Sequence, residues 1–214
     1  MKERLFLLLC SLFVFISCAT QPTTDEYAAE MDLYDYPPIS EEELVLLPDY
    51  SVIVELSSGV VDLDEAKTIY EITKQKCNKY NLDVTTMLAI WSEESDYYQY
   101  AISHAGEKAG KGIGQVSYLG RLDYNRVNGT LYTQDDLFDL ETNIEIACWI
   151  YSYNVHYGVP NSTESLLAAY NLGWKEYLRQ KALVDAGQLK WKGKIREYKY
   201  VNEVKSKTDI LKDV

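Results

Sequence analysis

Residues 89–115 read AIWSEESDYYQYAISHAGEKAGKGIGQ. An apolar helical run ends in Glu94-Ser95, and a loop rich in Tyr, Ser and Gly follows. Just upstream, Val84, Met87, Leu88 and Trp91 recur at i, i+3, i+4 and i+7, which predicts a helix over 84–95. Glu94 stands over Ile90 and Trp91, at the edge of that apolar stripe. Glu93 stands over Thr86 and Ala89, the more polar side. Glu94 is therefore the carboxyl expected to lose water, and desolvation raises a carboxyl pKa. An acid that is protonated near neutral pH can give its proton to a leaving oxygen, as a glycoside-cleaving enzyme requires. The same spacing also fits a solvated helix end carrying two charges.

Upstream of this helix, Asp62 with Glu65 has the form of a capping box. Ala66, Ile69, Tyr70, Thr73, Cys77 and Tyr80 mark one helical face, and Asn81 ends it. Downstream, Asp96 to Gly114 reads as loop, with glycines that permit close backbone approach to a ligand. Between Val116 and Thr133 the Asn128-Gly129 pair suggests a short hairpin or an irregular arm. Asp139 is placed to cap the next helix, whose buried stripe is Ile144, Ala147, Cys148, Tyr151 and Val155. Pro160 and the pair Asn161/Glu164 restart a short helix that ends at Gly173. Trp174–Ala186 and Lys190–Lys205 read as two more helices, with 208–214 as a tail. The expected fold class is mainly α, with a small irregular or β arm.

The N-terminal region differs in kind. Lys2 and Arg4 precede an apolar run, Leu5 to Ile16, that is shorter than the ~20 residues of a spanning helix. Residues 1–18 read as an export signal. Phe15-Ile16-Ser17-Cys18-Ala19 resembles a bacterial lipobox, with Cys18 the expected lipidation site, although Phe15 replaces the usual Leu. Residues 19–59 are acidic and broken by Pro22, Pro37, Pro38 and Pro48, which predicts a flexible tether with a short helix at Ser40–Leu46. Val52–Leu56 fits either the tether or a segment packed on the domain. A formal charge of -12 over 214 residues argues against nucleic-acid binding, which needs a basic surface.

Four blocks in order resemble the soluble lytic murein transglycosylase family (SLT domain, glycoside hydrolase family 23, lysozyme-like fold). They are Ile90–Ser95, Ser103 to Gln115, Asp139–Ile144, and Ala168–Gly173 with the later Tyr200–Val204. The resemblance spans Val60 to Lys207, and residues 60–207 are expected to form the catalytic domain. It implies that Glu94 is catalytic, protonating the glycosidic oxygen and then deprotonating a sugar hydroxyl. It implies substrate-binding roles for Ser103, Gln115, Tyr170, Asn171 and Tyr200, and bracing roles for Ser95 and Asn143. From the residues alone, Ser103 also fits a loop Ser bonding its own backbone, Gln115 a capping side chain, Tyr170 a packing Tyr at a helix C-terminus, Asn171 an αL residue and Tyr200 a core Tyr. Two departures stand out. The Ser103–Gln115 block is longer than usual through Glu107–Lys111, and Gly114 replaces the common Met, which removes a side chain from the groove wall.

The implied partner is the glycan strand of peptidoglycan, cut by a monomer tethered to the membrane in the bacterial cell envelope. No cofactor and no metal are expected, since two His and scattered Cys lack ligand spacing. His104 and His156 read as surface residues. Cys77 and Cys148 fit either a disulfide or two buried thiols. A hydrolytic muramidase on the same fold and a non-catalytic wall-binding lipoprotein are the competing readings.

Overall fold

The computed structural model describes residues 50–103, 106–188 and 195–212. The signal segment, Cys18, the Ser40–Leu46 helix and His104 lie outside the described residues. The elements, in order, are α1 Ser51–Leu56, α2 Leu63–Tyr80, α3 Val84–Ser95, α4 Tyr118–Asn128, α5 Leu140–Tyr153, α6 Thr163–Leu172, α7 Trp174–Asp185 and α8 Ile195–Lys212. Short 3-10 turns occupy Gly106–Lys108, Asp136–Phe138 and Asn154–Tyr157. Among the described residues, none of the helices is long and apolar enough to cross a membrane.

The helix starts follow from local chemistry. Asp62 and Glu65 form a reciprocal capping box, and Asn81 closes α2 in the left-handed region. Asp83 caps α3 by accepting from Thr86 N–H at 3.0 Å, and Asp139 caps α5 by accepting from Thr142 N–H at 2.8 Å. At α6 the cap is Ser162, not Asn161, because the Ser162 Oγ accepts from Ser165 N–H.

Helix α3 is the centre of the domain. Thr86 through Ser92 are all buried, so α3 is covered on every side instead of showing one apolar stripe. Helix α8 covers one side of it and α2 another; α2 packs in turn on α5, and α6 packs on α8 and α7. Trp91 Nε1 donates to Thr73 Oγ1 at 3.0 Å, which satisfies a polar atom of a fully buried ring.

Four other expectations change. The segment 118–128 is helix α4, not a hairpin arm. Ser117 caps it and Gly129 is its left-handed C-cap, so the Asn-Gly pair ends a helix instead of turning a ribbon. The small β element lies earlier, in the isolated antiparallel bridges Ile102↔Lys111 and Lys111↔Val116. Val155 leaves the α5 stripe and is exposed in the 3-10 turn. The last helix continues past Lys205 to Lys212, with Thr208 buried. Val52 and Ile53 of α1 are buried, so this segment packs on the domain. Cys77 and Cys148 are buried free thiols.

Candidate active site

Glu94 sits in the last turn of α3, where the chain reverses. Asp96 caps the helix in the left-handed region at φ 51°, and Tyr97 follows at φ 62°. Two consecutive non-glycine residues with positive φ are uncommon. The turn is held by Asp96 N–H to Ser92 O, by Tyr97 N–H to Trp91 O, and by complete burial of the Tyr97 ring.

The loop then folds back on α3 through a set of polar braces. Ser95 Oγ donates to the Ile113 carbonyl at 2.8 Å. Asn143 is buried and uses both ends of its amide. Its Nδ2 donates to the Lys111 and Leu137 carbonyls at 2.8 and 2.7 Å, and its Oδ1 accepts from Gly114 N–H at 2.8 Å. Gly112 has φ +75°, and a Cβ there would sit 2.1 Å from Asn143 Nδ2. Only glycine fits this close approach. A Cβ on Gly114 would lie 2.7 Å from Ala147 Cβ and 2.8 Å from Trp91 Cζ3. Gly114 therefore points into the packed interior, and its missing side chain makes room for Trp91 and Tyr170.

Two tyrosines converge from other helices. Tyr200 of α8 donates from Oη to Glu94 Oε1 at 2.7 Å. Tyr170 of α6 donates from Oη to the Gly114 carbonyl at 2.6 Å, which ties α6 to the loop. Burial pushes both phenols well above their usual range, and the nearby Glu94 charge pushes them further. Both stay protonated and act as donors.

The remaining expected residues are placed as follows. Ser103 is exposed, and its Oγ accepts from Gly110 N–H at 2.9 Å, which staples the bridge region. Gln115 has φ 48° and donates from Nε2 to the Gly112 carbonyl at 2.9 Å, closing its own loop. Asn171 is half-buried and helical within α6; the left-handed residue is Gly173. His156 stacks on Tyr153 at 4.5 Å, on the surface.

Glu93 departs from expectation. It is half-buried, and burial pushes its carboxyl above the usual range although Lys207 opposes this. Lys207 Nζ meets Glu93 Oε2 at 2.9 Å. Sequence reasoning missed this pair, because the polar side of α3 looked solvated. The 200, 204, 207 spacing on the last helix was the available signal.

A family model described as "Transglycosylase SLT domain" matches residues 71–190. The chain belongs to this family. The match includes Glu94, Ser103, Gln115, Tyr170 and Asn171 and stops before Tyr200, which the fold brings to Glu94 from outside it. A search of curated proteins finds no match to the chain. As an SLT domain it belongs with the lysozyme-like transglycosylases of peptidoglycan, and the helical architecture accords with that class.

Proposed function

We propose that the chain is a lytic transglycosylase that cuts the β-1,4 bond between N-acetylmuramic acid and N-acetylglucosamine with one acid, Glu94. The observation that carries this reading is the 2.7 Å Tyr200–Glu94 hydrogen bond, at a helix end with Tyr170 in electrostatic reach. In the first step the Glu94 carboxyl gives its proton to the glycosidic oxygen as the C1–O bond breaks. The substrate's acetamido oxygen attacks C1. In the second step the Glu94 carboxylate takes the proton of the 6-hydroxyl. O6 then attacks C1 and expels the acetamido oxygen, leaving a 1,6-anhydro ring. Tyr200 orients the carboxyl through both steps.

Most glycosidases station two carboxylates across the bond. Here the two acids beside Glu94 are otherwise placed. Glu93 is paired with Lys207, and Asp96 is the left-handed cap of α3. That favours a single-acid mechanism in which the substrate supplies the nucleophile. Ser103, Gln115, Tyr170 and Asn171 are proposed to contact the glycan along the loop and the end of α6. We place the protein in the bacterial envelope as a monomer anchored through a lipid on Cys18.

Glu94→Gln should abolish murein clearing while circular dichroism stays unchanged. Mass analysis of wild-type digests should show anhydro ends. A product heavier by one water would make the protein a hydrolase, and a wild type that clears no murein would leave it a wall-binding protein.

A further inference from the structure

Helix α8 is fastened to α3 along one seam. Tyr200 Oη donates to Glu94, and Lys207 Nζ donates to Glu93 at 2.9 Å. Tyr200 and Lys207 lie two helical turns apart and so share a face. Val204, between them, is fully buried, and Thr208 just beyond is buried too. The helices run antiparallel, since Lys212 acts electrostatically on Asp83 at the far end of α3. The Lys207–Glu93 pair is no surface pair, for the two side chains keep 24% and 21% of their exposure. Surface pairs contribute little, whereas removing one partner of a desolvated pair leaves a charge without compensation. Glu203, one turn before Lys207, faces Glu93 as a second carboxylate and pairs with Lys199 at 3.1 Å. Loss of Lys207 would leave two carboxylates facing each other across the seam.

We propose that Lys207 is a positioning residue: by holding Glu93 it fixes the register of α8 on α3 and keeps the Tyr200 hydroxyl on Glu94. This rests on the reading of Glu94 as the acid. The groups facing Glu93 and Glu94 across the seam are Lys207, Glu203 and Tyr200 from α8, with Tyr170 from α6.

The test uses the full chain with Lys207→Met, Lys207→Arg, Tyr200→Phe and the Tyr200→Phe/Lys207→Met double variant. Two readouts are taken: steady-state murein turnover, and the Glu94 carboxyl titration by carbon NMR, assigned with Glu94→Gln. Lys207→Met should lower kcat roughly tenfold, as a small misplacement of a catalytic group does, with KM little changed. It should also move the Glu94 titration toward that of Tyr200→Phe. Lys207→Arg should retain both wild-type values, and Lys207→Met should add nothing in the Tyr200→Phe background. Undiminished loss in that background means that Lys207 acts without Tyr200, which overturns the proposal. So does a folded Lys207→Met with wild-type turnover and titration. If Lys207→Met does not fold, Glu93→Gln weakens the same pair at equal volume and is judged by the same criteria. If wild type turns over no murein, the functional reading fails, and the titration still decides the role of Lys207.

Discussion

At the scale of single residues, the site depends on atoms that are absent as much as on those present. Gly114 lies between the Ala147 methyl, the Trp91 ring and the Tyr170 hydroxyl, and its carbonyl receives the Tyr170 hydrogen bond. Its φ is not in the left-handed region, so the demand for glycine here is one of space. Gly114→Ala forces a methyl against a helix side chain and an indole that cannot retreat. We expect a loss of about 1–3 kcal/mol, the usual cost of overpacking. The urea midpoint measures that loss. Activity should fall further than the folded fraction does, because the clash also pushes Tyr170 off the loop. Equal falls in both would mean that Tyr170 has no role beyond packing.

At the scale of elements, α3 and α5 are each held by a carboxylate kept charged. Burial raises the Asp83 carboxyl, but the Thr86 and Thr85 hydroxyls and the Thr86 N–H outweigh it, and it ends below the usual range. Glu145 on α5 is also raised by burial, and Lys79, Tyr80 and Lys76 from α2 outweigh that. Lys79 lies 2.5 Å and Lys76 3.5 Å from its oxygens. A group with a depressed folded pKa adds stability above its unfolded value, and that stability is lost as pH falls through the folded one. Glu93 runs the opposite way: its raised carboxyl favours the fold most below its ordinary value and loses that contribution as pH rises. Glu145→Gln should therefore cost roughly 2–4 kcal/mol at neutral pH, somewhat under the ~3–5 kcal/mol of breaking a fully buried pair because Lys79 is half exposed. The gap to wild type should narrow as pH falls from the ordinary carboxylate range through the depressed folded value. Thermal melts across pH read this directly. A gap that stays constant with pH would mean that the Gln change acts through packing.

At the scale of the whole molecule, what could be read from the sequence was what is encoded locally. The Asp62/Glu65 box, the 84–95 helix and the Asp139 cap depend on residues a turn apart, and each is in place. What could not be read is set by partners far along the chain. The cover over the α8 side of α3, the desolvation of Glu93 and the 2.7 Å Tyr200–Glu94 contact come from α8, over a hundred residues away. Residues 118–128 failed for another reason: Asn-Gly serves both a hairpin turn and a helix end, and the Ser117 cap decides between them. The C-terminus offers the clearest contrast. Residues 208–214 look like a polar tail, and deleting such a tail should change stability within about 0.5 kcal/mol. In the fold, α8 reaches Lys212, Thr208 is buried and Leu211 packs on the core. Deletion should then cost about 2–3 kcal/mol, the order expected for one apolar side chain returned to water. The loss should appear as a lower urea midpoint. Because the seam to α3 frays from the end opposite Tyr200, turnover per folded molecule should fall less than stability does. A deletion that leaves the midpoint unchanged would detach the last turn of α8 from the core.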